Sequence, residues 1–265
     1  MTSSRSARAI RVLWITAVLA FLYIPIVSVV LASLANTRYL RFPHREWTLD
    51  AYRDALTSYT TWQIHGVSLA IALSVVAIAT LLGTLGAVAF ARYDWRGRGW
   101  FQRILVLPIF FPQPVLGLAL LLSFSAVGIP PSWKTAALAH LVWIVPIVSL
   151  VISIRFFGYD VAQEEAAFDL GATRLQVIRE VTLPQIWPGI FSGMLFGFLL
   201  SWSNLPLSIF TSGPDTPLPV WLFTRTATNY SPLVPSVAVI GTIISALIVI
   251  VLASILFAAR RLRRS

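Results

Sequence analysis

Residues Asp160 to Pro188 read DVAQEEAAFDLGATRLQVIREVTLPQIWP, a polar interruption in an otherwise apolar chain. This stretch holds five of the ten acidic residues of the protein. Apolar runs long enough to cross a bilayer flank it on both sides. Asp160 followed by Gln163 predicts a capping box and a helix from about residue 161. Glu164 and Glu165 then stand at the positive end of the helix dipole, which favours each carboxylate by roughly 0.3–1 kcal/mol. Ala166 and Ala167 present almost no side chain, so another surface can approach closely, and Asp169 adds a further charge. Gly171 ends the helix as a left-handed cap. A second short helix over about 173–181 carries Arg174 and Arg179, and Leu183-Pro184 stops it. A hairpin lying on the membrane surface is the plain alternative. Such helices favour cations on their polar face, and this one is acidic, which favours a protein-docking element.

Working outward, the composition fixes the class. The chain has 265 residues, 57% hydrophobic and only 11% charged, against about a quarter charged in soluble domains. It is an integral membrane protein. With no cysteine there is no disulfide, thiolate metal site or cysteine nucleophile. The net charge is +10, and 19 of the 20 basic residues are arginine. They gather just outside the apolar runs, the placement of topology determinants, and this argues against a nucleic-acid partner.

Six spans are predicted, at about 12–35, 64–91, 104–126, 135–154, 189–211 and 235–258. The first reads as a retained span rather than a cleaved signal peptide. Pro25 within it is tolerable in a membrane helix, and Pro108, Pro112 and Pro114 interrupt the third. In loop 36–63, Trp47 to Tyr52 looks like the start of a surface helix; residues 212–234 read as a second long loop. Fourteen of the twenty basic residues lie in the amino terminus, loops 92–103 and 155–188, and the tail. The positive-inside rule then places both termini and the 160–188 hairpin in the cytoplasm.

By these boundaries no Asp, Glu, Lys or Arg sits well inside a span, which argues against a proton-driven, ion-coupled secondary carrier. His44, His65 and His140 show no metal-ligand spacing. Gly128 to Thr135 (GIPPSWKT) imitates a phosphate-binding loop, but Trp133 replaces its second glycine and would block the backbone approach to phosphate. The chain is therefore not an ATPase or other enzyme, and any uphill transport draws its energy from a partner.

Glu165-Ala166-Ala167, three residues, Gly171, nine residues, then Val181-Thr182-Leu183-Pro184 resembles the EAA loop of binding-protein-dependent ABC importer permeases. Val181 in place of isoleucine is the one departure. Residues about 64–250 are similar to the permease family that includes the spermidine/putrescine type, with Leu107-Pro108, Pro112, Ser212-Gly213-Pro214 and Leu218 to Trp221 where that family carries like residues. The resemblance implies an all-α membrane protein with six transmembrane helices in the type I ABC importer permease (MetI-like) fold. The permease domain would span 12–258, between a cytoplasmic amino terminus (1–11) and a basic tail (259–265). It further implies an ABC ATPase dimer that binds ATP and Mg, a second and different permease subunit, and an extracytoplasmic solute-binding protein; this chain itself needs no cofactor. Glu164, Glu165, Ala166, Ala167, Asp169, Gly171, Leu183 and Pro184 become the ATPase-coupling residues.

Two further patterns concern packing and pathway. Gly189, Gly193, Gly197 and Ser201 recur every four residues and form a strip where another helix backbone can approach; packing within the chain and a subunit interface both fit. Gln113, His140, Trp143, Trp202, Ser203 and Asn204 are polar or aromatic groups at membrane depth and form the candidate substrate pathway, with structural hydrogen bonding as the competing role. Spermidine/putrescine-type permeases tend to carry acids near the Ser203-Asn204 position, and this chain has none. A polyamine-like solute is one expectation; another small organic solute, amino-acid-like or organophosphonate, is the alternative.

Overall fold

The computed structural model describes residues 5–38 and 46–262. Within them all regular structure is helical apart from one isolated bridge, between Ala35 and Trp47. Residues 1–4, Arg41, His44, Arg45 and tail residues 263–265 lie outside the described residues.

Five described helices are long and apolar enough to cross a membrane: Ala7–Ser33, Tyr59–Arg92, Trp133–Phe156, Arg174–Trp202 and Leu233–Ser254. A bent pair, Arg98–Phe110 with Gln113–Ala126, makes a sixth if it counts as one span. Here the structure departs from the single, proline-interrupted third span expected at 104–126. Helix α4 (Arg98–Val106) runs into a 3-10 turn at Leu107–Phe110, and α5 (Gln113–Ala126) leaves at 105°. The cause is Pro112, whose ring drives the preceding Phe111 into an extended conformation, φ −79° and ψ 135°. At 14 residues α5 is about 21 Å long, short of the roughly 30 Å of hydrocarbon.

The fifth span also differs, at both ends. Leu183-Pro184 does not stop a helix. Instead α8 (Arg174–Gln176) passes through a π-helical segment, Val177–Thr182, straight into α9 (Leu183–Trp202). Pro184 falls in the first turn of α9, where a missing N–H is tolerated. At the far end Asn204 accepts a hydrogen bond from the Leu207 N–H (3.1 Å) and starts a separate helix, α10 (Leu205–Thr211). Helix α11 (Leu218–Thr228) occupies the region expected to be a loop.

The chain divides into two units, residues 1–62 with 222–244, and residues 63–221 with 245–265. In the first, the end of α1 (Arg5–Ser33) is tied to the expected surface helix α2 (Asp50–Thr57) by a 2.6 Å hydrogen bond between Ser33 and Tyr52. Ser236, in α12 (Leu233–Leu262), donates to the Ser33 carbonyl at 3.1 Å.

The second unit holds the main core. Ile71, Val75 and Ala79 of α3 (Tyr59–Ala87) meet Ile144, Val148 and Ile152 of α6 (Trp133–Ser153) and Ile186 and Ile190 of α9. The glycine strip of α9 lies against α6. A Cβ on Gly189 would fall 2.5 Å from Arg155 and one on Gly193 3.0 Å from Val148, while Gly197 leaves ordinary contact distance, 3.5 Å. Backbone-close packing of this kind supplies dispersion contacts where lipid offers no hydrophobic drive. Gly193→Leu is therefore expected to cost about 1–3 kcal/mol through overpacking and to lower the unfolding temperature of the purified protein. Gly66→Ala, with nothing within 4 Å of the new methyl, leaves it unchanged or raised. Equal unfolding temperatures for wild type and Gly193→Leu would contradict the seam.

Candidate functional site

Helix α7 (Ala162–Asp169) lies in the polar stretch between the fourth and fifth spans. The expected Asp160–Gln163 box does not form. Asp160 accepts from the Ala162 N–H (3.0 Å), while the Gln163 side-chain carbonyl accepts from the Gln185 amide (2.8 Å). A short Asp side chain closes a local two-residue turn more readily, and Gln163 takes the distant partner. The capping box sits one helix later, where Thr173 and Gln176 bond reciprocally (3.4 and 2.8 Å) at the start of α8. Gly171 adopts φ +86° with open space around it, so backbone conformation and not crowding requires glycine there.

The two adjacent glutamates point opposite ways. Glu165 is exposed together with Ala166, Phe168, Asp169 and Leu170, and Ala167 is half-buried. Glu164 turns inward and is only 9% exposed. One of its oxygens accepts from Arg92, paired with it as an ion pair. The other accepts from the Tyr159 hydroxyl and, at 2.7 Å, from Thr182. Arg92 closes the π-helical segment Val88–Arg92 that ends α3, and Thr182 closes the one that precedes α9. The Arg92 guanidinium also sits over the Tyr93 and Tyr159 rings, 5.5 and 5.6 Å from their centroids. An open cavity of about 500 Å³ adjoins this cluster, lined in part by Thr84, Tyr93, Phe168, Arg174 and Ile178.

Burial alone would raise the Glu164 pKa; the hydrogen bonds from Arg92, Tyr159 and Thr182 outweigh it and hold the carboxyl below its ordinary value. Burial and the bond to Glu164 push the Tyr159 phenol up to about 12, so it stays a neutral donor. Leu183 is exposed and Pro184 half-buried at the head of α9.

The candidate pathway residues separate into two groups. His140 is fully buried, with Nδ1 2.9 Å from the Ser201 hydroxyl and Nε2 2.9 Å from that of Ser208, so it joins α6, α9 and α10. Trp202 is buried and stacked on Phe198 (5.8 Å), and Asn204 is the buried cap of α10. Gln113 is half-buried at the start of α5, Trp143 half-buried on α6, and Ser203 exposed at the end of α9, donating to the Leu199 carbonyl (2.8 Å).

Arg92, Tyr159, Thr182 and Ser208 were not singled out by sequence reasoning. Arg92 stands in a basic cluster already explained by topology. Thr182 stands within the Val-Thr-Leu-Pro run, and nothing marks it apart.

Residues 79–264 match the model of the binding-protein-dependent transport system inner membrane component family. The chain belongs to this family. It is a multi-pass inner-membrane permease of a binding-protein-dependent ABC importer, a non-catalytic subunit. Among relatives, it is 31% identical over 244 residues to the spermidine/putrescine transport system permease protein PotC of Escherichia coli K12, covering 92% of each chain. It is 35% identical over 226 residues to the putrescine transport system permease protein PotI of the same organism, covering 82% of this chain and 80% of that one. In fold it matches a chain of a bacterial ABC transporter involved in import of the acidic polysaccharide alginate, with TM-score 0.71, 16% identity, and 94% and 93% coverage.

A carboxyl whose pKa is lowered in the folded state stabilises that state fully above the ordinary value and loses its contribution as pH falls through the lowered one. Hydrogen exchange of the α7 amides, corrected for intrinsic rates, is thus expected to show protection unchanged from about pH 8 to about pH 5 and declining progressively below about pH 4. Glu164→Gln removes the acid-dependent step. Protection that already declines between about pH 7 and pH 5 would contradict the assignment.

Proposed function

We propose that this permease imports a polyamine-class cation handed over by an extracytoplasmic binding protein, and that a pair of cytoplasmic ATPase subunits drives it through α7. The observation that carries the second part is the division of α7 into two faces. Its inward face is anchored by Glu164, while Glu165, Ala166 and Asp169 stand outward and free of bulky side chains beyond Phe168 and Leu170. Such a short, acidic, alanine-lined helix fits a cleft in a partner. The chain pairs with a second, different permease, each presenting one α7 to one ATPase subunit. In this reading both termini and the 160–188 hairpin are cytoplasmic, following the arginine distribution. ATP and Mg bind to the ATPase pair. Its closure draws the two hairpins together and opens the permeases outward; hydrolysis resets them.

The two polyamine-permease relatives support the substrate class. Residues 189–211 of span five include no acid, so the ammonium groups meet carboxylates on the companion permease. Here Trp143 supplies an aromatic face and Gln113 and Ser203 supply polar groups, while His140, Trp202 and Asn204 hold the shape of the pathway.

Uptake of labelled putrescine by cells carrying the whole importer tests this proposal. Wild-type cells are expected to accumulate it in competition with spermidine. Glu165→Arg abolishes uptake and lowers the ATPase retained on purification about tenfold, the equivalent of 1.4 kcal/mol. Failure to accumulate either putrescine or spermidine above cells lacking the importer would contradict the substrate class, and full retention of ATPase by Glu165→Arg would contradict docking through α7.

A further inference from the structure

We infer that the Arg92–Glu164 ion pair is the mechanical joint that carries movement of α7 into the second and fifth spans together; the inference rests on α7 being the ATPase-docking helix. Glu164 lies outside the Glu-Ala-Ala run, one residue before it, and faces away from any docked partner.

The geometry supports a joint more than a simple brace. A single carboxylate binds Arg92 at the end of the second span, Thr182 at the head of the fifth, and Tyr159 in the connection leading to α7. Both of its oxygens are bonded within this chain. Gln163 bonding to Gln185 makes a second tie from α7 to α9. A displacement of α7 therefore pulls on two spans through one point.

Both points of attachment are π-helical, Val88–Arg92 and Val177–Thr182. A π turn contains one residue more than the α turn it replaces, and such turns are frequent at functional sites. Each can tighten or shift along its helix, so the span rotates without breaking its hydrogen-bond ladder. The Arg92 Nε–H is buried with no hydrogen-bond partner among the described residues. The guanidinium is held on its Glu164 side and by the faces of two tyrosines. Arg92 and Glu164 thus act as positioning residues for transport, touching neither nucleotide nor solute.

The test uses the intact importer, reconstituted in liposomes with its binding protein and with putrescine as the probe, measuring solute moved per ATP hydrolysed. Arg92→Gln is expected to lower this ratio about fivefold or more, the lower end of typical coupling effects, while the ATPase subunits stay bound. The exchanged pair, Arg92→Glu with Glu164→Arg, rebuilds the ion pair and is expected to recover part of the ratio, the carboxylate's bonds from Tyr159 and Thr182 remaining lost. Thr182→Val removes one hydrogen bond and spares the ion pair; it is expected to give a smaller drop, and it reads the joint should Arg92→Gln fail to assemble. An unchanged ratio in Arg92→Gln, or in Thr182→Val where Arg92→Gln does not assemble, overturns the inference, as does an exchanged pair that assembles without recovering. A wild-type importer that retains no ATPase would instead overturn docking through α7, and the joint with it.

Discussion

The 160–188 stretch is anchored to the spans by the buried carboxylate of Glu164. Its bonds to Arg92, Tyr159 and Thr182 fix α7 against two spans, and only because this face is anchored can the opposite face stay exposed. A free hairpin of eight helical residues would be marginal in water. Desolvating a carboxylate is costly, and the site compensates with a full set of donors that keep it ionised. The resulting element is rigid on one side and available on the other.

Behind this element, the spans obey the rule that backbone groups in hydrocarbon must be satisfied internally. The α6–α9 seam does so with continuous helices whose glycines admit close approach. Where helices break, a side chain or a carbonyl takes over: Asn204 caps α10, and Thr135 and the Ser132 N–H both donate to the Thr211 carbonyl, at 2.8 and 3.2 Å. Asp215 accepts from the Trp133 N–H at the head of α6 (2.9 Å). His140 then ties the broken fifth span back to α6 through two serine hydroxyls. The interruptions coincide with the residues first read as pathway, which gives several of them a supporting role within the chain.

Much of this was legible from residue types alone. Apolar runs placed the spans, Gly171 announced its left-handed turn, and Trp47 to Tyr52 announced α2. What stayed hidden depended on tertiary context. Pro112 could have been absorbed as a kink, and only its surroundings turn it into a 105° bend. Pro184 resembles a helix stop unless a π segment precedes it, and π segments leave no periodic signature. Thr173 with Gln176 carries the same capping pattern as Asp160 with Gln163, and the pattern alone does not tell which of the two closes. In so short a helix, periodicity could not tell which of two adjacent glutamates faces inward, so the anchoring role of Glu164 was illegible until Arg92 and Thr182 stood beside it.

Cysteine labelling tests the outward face of α7 most directly. The chain has no native cysteine, so Ala166→Cys presents a single thiol at the centre of that face. A membrane-impermeant maleimide should label it in inside-out vesicles stripped of ATPase subunits and be blocked when those subunits are restored. Labelling in right-side-out vesicles, or labelling unaffected by the ATPase, would contradict a cytoplasmic docking helix.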